Sequence, residues 1–145
     1  DHSITTISPT TYLSIPPAMM NELTHERPRI SQALLWHELV SAAVMREWLL
    51  NIGQRNAFER LAHLFVEMFY RMRAIGQAQG FTCPFPATQN DLADATGLTS
   101  VHVNRTLQEL RREGLIELAR KELRILDFDR LCRIAMFNPD YLHLD

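Results

Sequence analysis

No apolar run in this 145-residue sequence approaches the roughly 20 residues needed to cross a bilayer core, and its first residues lack the charged-then-apolar order of a secretory leader. Cysteine is scarce. Cys83 and Cys132 lie far apart, without the paired spacing of a metal cluster or the density of a disulfide scaffold, so a reducing, cytoplasmic setting is the default expectation. Cys83, just before Pro84 in a loop, is where a redox role would be sought, but nothing nearby clearly lowers its pKa. The five glycines form no phosphate-cradling loop, and the sequence offers no Ser/His/Asp order and no carboxylate pair set for acid–base work. His2, His25, His37, His63 and His143 are scattered singly, as surface or core histidines are. These absences argue against an enzyme, a metal centre and a membrane partner, and no cofactor is expected in this chain.

Lysine is almost missing: Lys121 stands alone, and Arg supplies the other 14 of the 15 cationic side chains. A net charge of −2 gives no bulk argument for nucleic acid. Arg is nevertheless the cation suited to planar, two-pronged contacts with phosphate and guanine, so the placement of the arginines matters more than their sum. What is present, 46% hydrophobic and 22% charged residues, supports one packed domain with an accessory segment.

Ser3–Ile7 and Thr11–Ile15 read as two short β runs around the turn Ser8-Pro9-Thr10. A lone hairpin is marginal, so the runs are expected either at the edge of a larger sheet outside this sequence or as a ribbon packed on the helices. With no initiating methionine, the chain is expected to be the C-terminal part of a longer protein. A short helix follows from Ala18 to about His25, and Pro28 suits the first turn of a long helix that closes near Asn51-Ile52-Gly53. Between Ile30 and Ile52, 15 of 23 positions are apolar, against about 10–11 for a helix packed on one side. The surplus predicts burial on two faces, one against its own chain and one against a copy of itself through a seam of Leu34, His37, Ser41, Val44 and Trp48. A central helix in a monomeric bundle is the alternative, but too few helices follow to wrap it.

Asn56 and Glu59 resemble a capping box opening a helix from Ala57 to Ile75, whose stripe of Leu61, Leu64, Phe65, Met68, Phe69 and Met72 reads as core. After Gly76 and Gly80, Phe81–Pro86 reads as extended or loop. Thr88 and Asp91 repeat the capping arrangement for a short helix, Gln89–Thr96, which Gly97 stops. Thr99 then caps a helix from Ser100 to Glu113, closed by Gly114 with Leu115 against Leu110. Two helices joined around a glycine, with Ala93 small and Val103 apolar at the crossing, make a helix-turn-helix candidate. At 100° per residue, Val103, Leu107 and Leu110 share the buried face, while Val101, Asn104, Arg105, Gln108 and Arg112 share the opposite one.

That opposite face carries the chemistry of a major-groove reader. Arg105 can pair with guanine, Asn104 or Gln108 with adenine, and Val101 with a thymine methyl. Thr88 and Gln89 at the start of the first helix, and Thr99, Ser100, His102 and Arg112 on the second, are candidate phosphate contacts. A solvated polar face would satisfy the same residues. Two β-like runs, Leu115–Leu118 and Leu123–Leu126, argue against that bland reading, because they form a hairpin with Arg120 and Lys121, two further candidate phosphate contacts, at its tip. The tip lacks the usual glycine. The remaining residues give a helix at about Asp129–Ala135 and an apolar tail with Phe137, Tyr141 and Leu142 that packs back.

The order of parts, with Asn56–Leu64, Thr88–Ile116 and the long two-faced helix before them, resembles the cyclic-AMP receptor/fumarate-and-nitrate-reduction (Crp/Fnr) family of bacterial transcription regulators. The resemblance implies a mainly α fold in three parts. Residues 1–27 would be the remnant of a cyclic-nucleotide-binding-like β-barrel sensor, 28–53 a dimerisation helix and 54–145 a winged-helix DNA-binding domain. Arg105 matches the family's base-reading arginine, whereas Val101 stands where well-known members carry glutamate, so the preferred half-site should differ from theirs. The barrel's phosphate cassette is absent, and the effector is therefore unassigned.

The function expected is a homodimeric, sequence-specific binder of double-stranded DNA that regulates transcription from a palindromic site, with half-sites about 34–36 Å apart. The resemblance leaves RNA polymerase open as a further partner. The alternative is a winged helix that binds protein instead of DNA, favoured only by the near-neutral charge.

Overall fold

The computed structural model describes residues 3–144; Asp1, His2 and Asp145 lie outside it, and with them the reading of His2 and the two ends of the expected outer segments. Six helices and three short strands follow in the order α1 (Pro17–Glu26), α2 (Pro28–Gln54), α3 (Ala57–Ala74), β1 (Thr82–Pro84), α4 (Gln89–Thr96), α5 (Ser100–Arg112), β2 (Ile116–Ala119), β3 (Glu122–Ile125) and α6 (Phe128–Ala135), and a 3₁₀ turn (Pro139–Leu142) ends the described chain. No described helix is long and apolar enough to cross a membrane.

The two β runs expected before Pro16 do not form. Residues 3–16 carry no ladder and are exposed, and Ile4, Tyr12 and Leu13 face outward. Without a third strand or an apolar face to cover, a two-stranded hairpin has too little burial to hold itself. Regular structure starts at Pro17, at the first turn of α1. Pro28 likewise opens α2 without losing a bond, because the first N–H groups of a helix have no intrahelical acceptor.

α2 closes within one residue of the expected Asn51-Ile52-Gly53. The helix continues to Gln54 and breaks at Arg55, whose backbone is extended at φ −81°, ψ 138°. Arg55 is held there by its own guanidinium, which donates to Glu47 Oε1 at 2.7 Å, to Asn51 Oδ1 at 3.3 Å and to the Met136 carbonyl at 3.4 Å. Asn56 then caps α3 with Glu59 returning to the Asn56 N–H, the reciprocal arrangement expected.

α3 is the core of the domain. Leu61 through Phe65 and Phe69 are buried, and α5, α6 and β1 pack around them through Leu107, Leu110, Leu131, Ala135 and Cys83. The sheet runs β1-β3-β2, all antiparallel, with Thr82 opposite Arg124 and Ile116 opposite Ile125. The sequence marks β1 only as extended chain. Its three residues include a proline, and it becomes a strand because β3 offers it an edge. Cys83 thereby enters the core, where burial pushes its thiol pKa up, which removes the redox role considered for it.

Overlying this core, α2 runs past α3 and the 3₁₀ turn. Trp48 Nε1 donates to Glu67 Oε2 at 3.0 Å, and Tyr141 Oη donates to the same oxygen at 2.7 Å while lying 3.1 Å from His63 Nε2. Arg71 Nε reaches Glu67 Oε1 at 2.9 Å. Burial opposes charge on Glu67, but the His63, Tyr141, Arg71 and Trp48 interactions outweigh it and hold the pKa down at about 2. The tail therefore packs back as expected, with Leu142 buried.

This network engages one member of the expected α2 seam within its own chain. The Trp48 indole N–H turns to the buried Glu67 carboxylate, which needs a donor, and Trp48, Ser41 and Val44 on that side are half-buried. Leu34 and His37, farther up the helix, are exposed. So is a second row around the helix from Trp48: Leu35, Leu39, Met45 and Leu49, the last 69% exposed.

Candidate nucleic-acid interface

The helix-turn-helix is built by local chemistry. Thr88 accepts the Asp91 N–H to start α4, Gly97 ends it in the left-handed conformation at φ 64°, and Thr99 accepts the His102 N–H to start α5. Leu115 N–H returns to Leu110 O at 3.0 Å and Gly114 N–H to Arg111 O at 3.0 Å, a Schellman ending that aims the chain into β2. Val103, Thr106, Leu107 and Leu110 are buried beneath α5. Val101, Arg105, Gln108 and Arg112 stand exposed on the outer side, as the helical projection requires, and Val101 is 81% exposed.

Among the described residues Arg105 makes no ion pair or hydrogen bond, so its guanidinium edge is open to a base. Asn104 is half-buried and sits in a chain of amides: Gln108 Nε2 donates to Asn104 Oδ1 at 3.0 Å, and Asn104 Nδ2 donates to Gln89 Oε1 at 3.1 Å. Ser100 Oγ donates to Asn90 Oδ1 at 2.9 Å. Its backbone N–H and that of Val101, the first two of α5, have no intrahelical acceptor and point out of the helix end. His102 is half-buried at the flank. Arg112 lies at the far end of the exposed face, 3.8 Å from Glu109.

Thr88 closes the expected capping box with Asp91. Its N–H and its hydroxyl both donate to Asp91 Oδ2, each at 2.7 Å, which also lowers the Asp91 pKa. Within the chain, both Thr88 donors are engaged by this cap.

At the wing tip, Arg120 and Lys121 form a two-residue turn with φ of 53° and 64°. Both central residues must be left-handed in the hairpin turn that matches strand twist, and these two adopt that conformation without glycine. The Phe85 N–H donates to the Lys121 carbonyl at 2.7 Å and anchors the tip to the chain beyond β1. A groove runs between this tip and the two helices, lined by Pro86, Gln89, Leu92, Arg111, Arg120 and Lys121. Arg111, which the sequence does not single out, joins the lining and donates to the Leu118 carbonyl at 3.4 Å. Arg60 is a second such residue: it donates to the carbonyls of Ile52, Arg55 and Thr96, tying the end of α2 to the end of α4. An isolated Arg one turn into a helix that follows a break is the only sequence signal for that role.

Residues 59–134 match the family described as the Crp-like helix-turn-helix domain. The chain belongs to the Crp/Fnr family. This Crp/Fnr chain is 32% identical over 123 residues to the transcriptional activator protein FnrL of Cereibacter sphaeroides, covering 82% of its own length and 50% of that protein. It is 30% identical over 129 residues to the transcriptional activator protein anr of Pseudomonas aeruginosa, covering 87% and 51%. FixK2 from Bradyrhizobium japonicum shares the fold at 20% identity, with a TM-score of 0.71 over 81% of this chain and 57% of FixK2. The chain spans about half the length of the curated relatives it matches.

Proposed function

We propose that this Crp/Fnr chain is the DNA-binding and dimerising part of a transcription regulator. The observation that carries the reading is the outer side of α5, where Val101, Arg105 and Gln108 stand clear while the opposite side is sealed in the core. α5 enters the major groove, Arg105 reads a guanine, and the N–H groups at the start of α5, with Ser100, Thr99 and His102 around them, meet phosphate. Arg120 and Lys121 meet the phosphates across the groove from α5, and Arg112 those beyond its far end.

A second copy packs on α2 through the exposed row Leu35, Leu39, Met45 and Leu49, with Leu34 and His37 exposed on the neighbouring Trp48 side. Two-fold symmetry then asks for a palindromic site with half-sites about 34–36 Å apart. Effector sensing belongs to chain outside these 145 residues, and contact with RNA polymerase is in keeping with relatives named transcriptional activators. A mobility-shift titration with a selected site and with random DNA, at two salt concentrations, tests the reading. Salt-dependent binding to both, tighter on the selected site, supports it; salt-independent or absent binding overturns it.

A further inference from the structure

We propose that Gln89 is a positioning residue for sequence readout: acting through Asn104, it holds the Gln108 amide ready to read an adenine. The inference rests on the DNA-binding reading above and assigns roles within it. Three side-chain amides from two helices form one directed chain, from Gln108 Nε2 to Asn104 Oδ1 at 3.0 Å and from Asn104 Nδ2 to Gln89 Oε1 at 3.1 Å. The direction decides which atoms remain for a ligand.

A primary amide has two N–H donors and one carbonyl oxygen with two lone pairs. Gln108 commits one N–H to Asn104 and keeps one N–H beside its carbonyl oxygen. That donor–acceptor pair is what adenine N7 and its N6 amino group demand from the major-groove side. Asn104 donates one N–H to Gln89 and accepts from Gln108, and it is half-buried between them whereas Gln108 is exposed, so its remaining N–H and lone pair are less open to a base edge than those of Gln108. It is the relay, not the reader.

Gln89 is the anchor because the backbone beneath it is fixed. It is the first residue of α4, directly after the N-cap Thr88, which closes a capping box with Asp91. One residue on, Asn90 accepts from Ser100 at 2.9 Å, so α4 and α5 are tied by side chains from two successive residues. A glutamine held in its binding conformation before contact loses less rotamer freedom on contact than a loose one. Arg105 needs no such support, since a guanidinium is a rigid planar fork.

A direct phosphate contact by Gln89, the role its place at a helix start first suggests, gives the opposite readouts. The test is selection of bound sites from a random DNA pool by the full chain, with mobility-shift salt titrations alongside. Gln108→Ala and Gln89→Ala are expected to flatten the same adenine position of the selected site, each lowering preference for adenine there by about tenfold. Gln89→Ala added to Gln108→Ala changes that position no further. Gln89→Glu keeps an acceptor for Asn104 and restores the adenine preference, even as its charge weakens binding to all sequences. If Gln89→Ala keeps the adenine position and instead weakens binding to selected and random DNA alike, with the salt slope unchanged because a neutral amide displaces no counterion, Gln89 touches phosphate and the proposal is overturned. A wild-type site with no position sensitive to Gln108 also overturns it, while leaving the DNA-binding reading intact. Wild-type protein that shows no salt-dependent DNA binding overturns both.

Discussion

The Trp48 indole N–H and the Tyr141 hydroxyl converge on one carboxylate oxygen of Glu67, at 3.0 Å and 2.7 Å, so a single buried charge joins the long helix, the domain core and the chain's last turn. The relationship has a thermodynamic signature. The Glu67 pKa is depressed from 4.5 to about 2, so its ionised form stabilises the fold above the unfolded-state pKa, and that stability is lost as pH falls from about 4.5 toward 2. The full contribution is about 3 kcal/mol. Glu67→Gln should lower stability at pH 7 by about that order and remove this part of the acid slope. Urea melts at pH 7 and pH 3.5, at fixed protein concentration, check both; an unchanged acid slope in the variant would assign it to other carboxylates.

Arg105 is expected to read a base. Arg105→Ala should weaken binding to the selected site by about 1–3 kcal/mol and relax preference at one base pair per half-site, with little effect on thermal stability because the side chain is exposed. Equal loss on selected and random DNA would show that Arg105 supplies charge alone.

The wing tip carries strained backbone. Arg120 and Lys121 occupy left-handed backbone, which costs a side chain with a Cβ about 1 kcal/mol per residue. An Asn-Gly pair suits such a turn best, yet this sequence places two cations there instead. The double substitution Arg120→Asn, Lys121→Gly should raise the midpoint of thermal unfolding by several degrees, on about 1–2 kcal/mol of relieved strain. It should also weaken binding to all DNA alike and reduce the salt slope by about two per half-site, about four for a dimer on its full site. A stabilised variant with an unaltered salt slope would remove the tip from the interface.

Much of this was legible in the chain because local rules carried it. The two capping boxes, the left-handed Gly97 and the Schellman contact of Leu115 with Leu110 each depend on residues within a few positions of one another. What escaped depends on distance. β1 exists only because β3 presents an edge to it, and a three-residue run with a proline has no strand signature of its own. The hydrogen bonds of Arg60 reach carbonyls at both Ile52 and Thr96, which no periodicity connects. The bond from Trp48 to Glu67 is of the same kind, because an apolar surplus shows that a helix has two partners, not which polar group inside its own chain one of its side chains meets. The candidate site followed the same division: the exposed row of α5 came from helical projection, whereas the second bond from Thr88, its hydroxyl to Asp91, shows only in the geometry.

The faces of α2 supply the last prediction. Trp48 is held by Glu67 inside its own chain, whereas Leu39 and Leu49 lie on the outer side, 55% and 69% exposed. If a second copy covers that side, each substituted leucine is lost twice per dimer, at about 1.5–3 kcal/mol each time. Leu39→Glu or Leu49→Glu should therefore raise the dimer dissociation constant by about 10²–10⁴-fold, read by sedimentation equilibrium, and weaken binding to a two-half-site DNA far more than to a single half-site. Trp48→Phe should do the reverse, lowering domain stability through the lost indole bond with little change in association. A dimer that survives both leucine substitutions and fails with Trp48→Phe would move the seam back to the Leu34–Trp48 side and require the Glu67 network to open when two copies meet.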